Sequence, residues 1–317
     1  MRAAATAGPA AVYDTAGPYS LSQTLGIIRR GPGDRTMALA PGLAWLAFTT
    51  SLGPATLGIT QRASRLHVRS WGPGAEQALA GVPSLLGLHD DWAAFDSPTF
   101  AATLPHRVRE ARRRHQSVRL PSTGRIVDAL VPAILEQKVT TLEAVRAYTA
   151  LLRKYGTPAP GAGLHPDVPG TLTVAPTAAQ WAAIPSWDWH RVGVGPQRSD
   201  TIQRMVRSAS GLERLNQLPA KEAGRKMQSI PGIGVWTAAE ATQRTHGDPD
   251  QVSVGDYHLA AYVGWALAGK PVDDAGMLEL LQPWQGHRQR VVRMLQLSGF
   301  RKPTFGPRMT VQDHRRH

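Results

Sequence analysis

The sequence has no cysteine, which excludes disulfides, thiolate zinc sites, iron–sulfur clusters and thiol nucleophiles together. No stretch approaches the ~20 apolar residues of a membrane span. The opening MRAAATAGPAAVYDTAGPYS is too broken by Pro and Gly to hold a secretory core. These absences predict a soluble cytoplasmic protein. Acidic residues are scarce as well: 23 Asp and Glu stand against 36 Lys and Arg, for a formal net charge of +13. A polyanion is the partner this charge suggests, although an arginine-rich genome would give the same excess. The eleven histidines show no metal-binding spacing.

What is present can build a core. The chain has 317 residues, 42% of them apolar, enough for two compact domains or one large one. Residues 1–18 read as disordered. Short β-type runs at 24–29, 44–50, 55–60 and 66–71 alternate with Gly/Pro turns and predict a small sheet. Helical periodicity begins at Val82. Ser122 or Thr123 is placed to cap a helix carrying Ile126, Ala129, Leu130 and Ile134. Further helices are predicted at 140–155, 177–184, 196–210, 219–228, 234–246, 256–268 and 287–298. The Pro/Gly-rich stretch 156–176 reads as a loop between helices. The fold class is α+β: a disordered 1–18, a sheet-containing part over 19–110, a helical domain over 111–300 and a basic tail over 301–317.

The most informative segment is Ser229-Ile230-Pro231-Gly232-Ile233-Gly234-Val235-Trp236-Thr237-Ala238-Ala239. It reads as a helix, a tight glycine turn and a second helix. Gly232 and Gly234 permit positive φ and carry no Cβ, so amides at the start of the second helix can approach a phosphate with help from the helix dipole. Such a turn grips DNA without reading its sequence. A bare Gly-x-Gly is by itself more often an ordinary αα-hairpin. Downstream runs Asp248-Pro249-Asp250-Gln251-Val252-Ser253-Val254-Gly255-Asp256-Tyr257-His258-Leu259. There Asp256 is placed to cap a helix with Leu259, Val263, Ala266 and Leu267 on its apolar face.

The two segments together resemble the signature of the helix-hairpin-helix–Gly/Pro–Asp DNA glycosylases. Ala133-Ile134-Leu135-Glu136-Gln137-Lys138-Val139-Thr140 and Pro283-Trp284-Gln285-Gly286-His287-Arg288 are similar to side motifs of the alkylpurine, 3-methyladenine glycosylase II-like branch. The resemblance covers roughly residues 84–300, and the sheet-containing part resembles that branch's N-terminal domain more weakly. It implies an all-helical catalytic domain, Asp256 as catalytic carboxylate and Trp236, Glu240, His258 and Arg293 as base pocket. It also implies DNA contacts from Gln137, Lys138, Gly232, Gly234, Val235 and Trp236. The backbone carbonyls of Gln228, Ile230 and Ile233 would hold a monovalent cation; no other cofactor is implied. The partner is double-stranded DNA carrying a damaged base, met by a monomer at the nucleoid.

Lyase-competent relatives carry a lysine two residues after the second hairpin glycine, where this chain has Trp236. An indole cannot form a Schiff base, so the resemblance implies a monofunctional hydrolase that uses water and leaves an abasic site. Glu136 replaces a glycine of the branch, Lys138 its duplex wedge, and Glu240 and Arg293 two pocket aromatics. Alkylated purines are the substrate that the branch suggests. Two alternatives stay open: a DNA-binding hairpin protein without turnover, and a glycosylase for deaminated or mismatched bases with Glu240 or His258 polarising the leaving base. The run Arg107, Arg109, Arg112, Arg113, Arg114 reads as a solvated helix face or a DNA contact.

Overall fold

Between Pro9 and Gly72 the chain alternates apolar residues that must be covered on two sides, and it forms one antiparallel sheet. The computed structural model describes residues 8–303. Its strands β1 (Ala10–Asp14), β2 (Met37–Ala40), β3 (Leu43–Thr50), β4 (Gly53–Arg62) and β5 (Arg65–Trp71) lie in the order β1-β5-β4-β3-β2. Leu46, Phe48, Leu57, Ile59, Leu66 and Val68 point to one face and bury against Leu21, Leu25, Val82 and Leu86. Trp45, Ala47 and Trp71 point to the other. Gly58 sits opposite Trp45, and a Cβ there would lie 2.5 Å from the indole, so only glycine fits beneath that ring.

The sheet differs from expectation at its margins. Ala10–Asp14, within the stretch predicted to be disordered, is an edge strand paired with Arg65–Arg69. Residues 24–29, predicted as a strand, instead end the short helix Leu21–Leu25, which Ser20 starts by accepting from the Gln23 amide at 3.3 Å. Residues 156–176 are less free than a plain loop. Thr157–Pro158 pairs with Thr173–Val174, and Ala159, Val168, Leu172 and Val174 cover the second sheet face. Residues 1–7 and most of the predicted basic tail lie outside the described residues.

The helices bury into two cores. One joins the helices Ile126–Leu135 and Thr141–Tyr155 with residues from Trp181 to Ala241. The other joins Trp92, Phe95, Leu104 and Val108 with Val252, Val263, Met277 and the last helix, Arg288–Leu297. The boundary predicted at 110/111 therefore runs through a shared core, because the helices before it pack on the C-terminal ones. Helices at Ala75–Ala80 and Asp274–Leu281 were not anticipated. The start of Ile126–Leu135 is capped from afar. The Glu213 carboxylate accepts from the Ile126 and Val127 amides at 3.1 and 2.8 Å, while Ser122 donates to the Thr245 carbonyl. Among the described residues no helix is long and apolar enough to cross a membrane.

Candidate functional site

The hairpin forms as its glycines predict, with one refinement. The helices Ala220–Met227 and Val235–Thr245 flank the turn, and Gly232 has φ +99°. A Cβ on Gly232 would meet Thr201 Oγ1 at 2.2 Å, so both conformation and space demand glycine. Gly234 does not use positive φ: it is extended, with φ −93°, and its Cβ direction is open space. It ends the turn with no side chain in front of the second helix, and no side chain caps that helix. The turn is braced on two sides. Arg204 donates to the Pro231 carbonyl at 2.6 Å, and Gln137 Nε2 donates to the Gly232 carbonyl at 2.9 Å and to Thr237 Oγ1 at 2.8 Å. Gln137, expected to touch DNA, thus spends its amide on holding the hairpin. The Ile230 carbonyl accepts from the Ile233 amide at 3.0 Å within the turn.

Asp256 lies on the segment that links the hairpin's core to the second one. Gly255 before it has φ +89°, and its amide donates to Asp274 at 3.1 Å. The carboxylate is divided between two tasks. Oδ1 accepts from the amides of His258 and Leu259, both at 2.8 Å, capping the helix Leu259–Ala268. Oδ2 accepts from Trp236 Nε1 at 3.2 Å. One oxygen is held by two backbone amides and the other by the Trp236 indole.

Behind Trp236, on the same helix face, stand Glu240 and Arg244. Glu240 Oε2 accepts from Arg244 Nη1 at 2.8 Å, and Oε1 accepts from Ser253 at 2.6 Å. Burial alone would push the Glu240 carboxyl up, but Arg244, the Ser253 hydroxyl and Arg30 outweigh it and hold it below the ordinary carboxylate range. Arg30 pairs with Glu136 at 3.2 Å. Arg293 joins from the last helix; burial first and then Arg244 lower its pKa to about 10, with Glu240 opposing. A cavity of about 60 Å³ opens beside Arg30 and Arg244, against the sheet. His258 is not part of this set. It is exposed, with its ring against Tyr257 at 4.8 Å and its Nδ1 toward Lys302 at 3.5 Å.

Lys138 and Val235 are exposed, and Lys138 holds φ +55°. Tyr257 is 85% exposed immediately beside Asp256. In the arginine run, Arg112 is buried in a two-toothed pair with Asp96 at 2.8 and 2.7 Å, and Arg107 lies over Phe300 at 4.6 Å. Arg113 and Arg114 are the solvated face.

No protein-family profile matches the chain. Over 144 residues it is 31% identical to a probable bifunctional transcriptional activator/DNA repair enzyme AlkA of Mycobacterium tuberculosis, a match covering 44% of this chain. The matched segment spans 27% of that relative's length. A 3-methyladenine DNA glycosylase from Archaeoglobus fulgidus superposes with a TM-score of 0.73 at 14% identity, covering 90% of this chain and 97% of that one. An 8-oxoguanine glycosylase/lyase from Clostridium acetobutylicum superposes with a TM-score of 0.68 at 10% identity, over 92% and 96%. With the glycine hairpin, the following aspartate and the antiparallel sheet in one arrangement, the chain has the fold of the helix-hairpin-helix DNA glycosylases.

Proposed function

We propose that this protein is a monofunctional DNA glycosylase that hydrolyses the N-glycosidic bond of a damaged purine in duplex DNA and leaves an abasic site. The observation that carries this reading is the division of Asp256: one oxygen is fixed by two backbone amides and the other is presented beside Trp236. As the glycosidic bond stretches, positive charge develops on the deoxyribose. A carboxylate about 4 Å away at an effective dielectric near 20 is worth roughly 4 kcal/mol, or about a thousandfold in rate. The same oxygen can take a proton from the attacking water.

The target base must leave the stack to reach this carboxylate. Trp236 offers an aromatic surface beside it, and the hairpin amides and the exposed Lys138 are the groups that would contact phosphates. With Trp236 where a Schiff-base lysine would stand, the sugar is attacked by water. The partial identity to a probable DNA repair enzyme supports a repair role, and the fold shared with a 3-methyladenine DNA glycosylase supports alkylated purines as the general class. A monovalent cation on the carbonyls of Gln228, Ile230 and Ile233 would help the hairpin accept a phosphate.

The test is to incubate duplexes carrying methylated adenine, hypoxanthine or uracil with the protein, and then to cleave abasic sites with alkali. Strand breaks that need alkali, and that the Asp256→Asn variant does not make, are expected. Breaks without alkali together with a borohydride-trapped adduct overturn the monofunctional reading, and no release of any base overturns the glycosylase.

A further inference from the structure

Trp236, Glu240 and Gln243 stand at positions i, i+4 and i+7 of the second hairpin helix and share one face. That face holds the segment leading to Asp256 at successive places. Gln243 Nε2 donates to the Gln251 carbonyl at 3.0 Å and to Ser253 Oγ at 2.9 Å. Ser253 Oγ in turn donates to Glu240 Oε1 at 2.6 Å, and Trp236 Nε1 donates to Asp256 Oδ2 at 3.2 Å. The Gln243 amide is fixed in orientation, because Gln289 Nε2 donates to its Oε1 at 3.0 Å and the Gln251 carbonyl requires a donor. Gln243, Ser253 and Gln289 are all buried. The Ser253 carbonyl accepts from the Asp256 amide at 3.2 Å, so the residue whose hydroxyl is gripped is also the one on which the Asp256 backbone rests.

We propose that Ser253 is a positioning residue for Asp256, and that Glu240 and Gln243 act on the carboxylate through it without touching the base. The hydroxyl has one proton to give and gives it to Glu240, and both Gln243 amide protons are placed. None of these donors is left for a base edge. Glu240 has each carboxylate oxygen engaged, one by Ser253 and the other by Arg244. The bond from the Ser253 hydroxyl is charge-assisted, which makes it the strongest tie in the row. Between Ser253 and the carboxylate lies Gly255 at φ +89°. A glycine imposes few restraints of its own, so the aim of Asp256 depends on what holds either end of that elbow. Asp274 accepts from the Gly255 amide at 3.1 Å, and Ser253 accepts from the Asp256 amide. A carboxylate that must meet developing charge at a set distance loses rate steeply when displaced by about 1 Å.

The inference rests on the glycosylase reading, and its test separates the two. Single-turnover base release by the full chain and affinity for undamaged duplex are measured for Ser253→Ala and Glu240→Ala. Each substitution should lower release by about tenfold or more, by one common factor for every lesion the protein releases, and leave the duplex affinity unchanged. The double variant should be no slower than the slower single one, since both act on one contact. Glu240→Gln, which keeps an acceptor for the hydroxyl, should lose less than Glu240→Ala. A factor for Glu240→Ala that differs between methylated adenine and hypoxanthine would put Glu240 on the base and overturn the inference, as would an unchanged rate in Ser253→Ala. Either result leaves the glycosylase reading standing, and the two Glu240 variants decide even if Ser253→Ala does not fold. Release of no base by the unaltered protein overturns both.

Discussion

Asp256→Asn keeps an oxygen that can accept from the His258 and Leu259 amides while removing the negative charge. Because Asn and Asp cap helices about equally well, stability should change by less than about 1 kcal/mol, whereas single-turnover base release should fall by about a hundredfold or more. Asp256→Ala loses both tasks and should lower the melting temperature as well. A variant Asn that melts normally and releases base at the original rate would show that the charge is unused. At this scale, local features were legible. The glycine turn and the helix-capping place of Asp256 follow from residue type and position, while Trp236 was singled out by resemblance. The charges of the pocket were legible as departures but not as a network, because Glu240 is tied to Ser253, thirteen residues on, and Glu136 to Arg30 from the N-terminal part. Nothing in a linear reading links these pairs. The ring of His258 turns toward Tyr257 and Lys302 and away from these pairs, a direction its position next to Asp256 does not announce.

The helix Ile126–Leu135 shows what sequence signals miss between elements. Two residues of the right capping type precede it, yet its first amides are satisfied by Glu213 from another helix. Glu213→Ala strands both donors and should destabilise the fold by about 1–2 kcal/mol, with Glu213→Gln costing less, as read by denaturant melts. No loss in Glu213→Ala would mean that water replaces the carboxylate. Long, periodic helices were read well and the sheet's margins poorly. Thr24 to Arg29 is rich in strand-favouring residues, but Ser20 and the burial of Leu21 and Leu25 make its first turn helical. Ala10 to Asp14 gains its strand from an edge of β5 that local composition cannot announce. The last helix begins with a second testable device. His287 packs edge-on to Phe95 and Phe100 and its Nδ1 accepts from Arg290 at 3.0 Å, which requires the neutral ring. Burial and then Arg290 depress its pKa, over the opposition of Asp250 and Asp90. The contribution of a depressed histidine is complete above its unfolded value, near 6.5, and is lost as pH falls through the lower folded value. The melting temperature should therefore drop as pH is lowered from about 6.5, and His287→Gln should flatten that part of the profile. An unchanged profile in the variant would assign the acid sensitivity elsewhere.

Across the whole molecule there is an excess of 13 positive charges, and Lys138, Val235 and Tyr257 are exposed. The segment that carries Asp256 joins the two helical cores, and on the proposed reading a duplex would span both. Phosphate contacts release counterions, and affinity for undamaged duplex should then fall steeply with salt, by about a thousandfold between 50 and 200 mM for six contacts. Lys138 tests one of those contacts cleanly if its backbone is respected. It holds φ +55°, a conformation asparagine tolerates far better than most residues. Lys138→Asn should preserve the melting temperature, weaken binding to every duplex alike, and reduce the slope of log affinity against log salt by about one. If its side chain instead entered the duplex as a wedge, the substitution would weaken binding to damaged DNA selectively and leave the salt slope unchanged. Titrations of damaged and undamaged duplexes at several salt concentrations distinguish the two. Uniform loss with a shallower slope is expected, since a lysine is a good phosphate partner and its solvated ammonium a poor replacement for an extruded base.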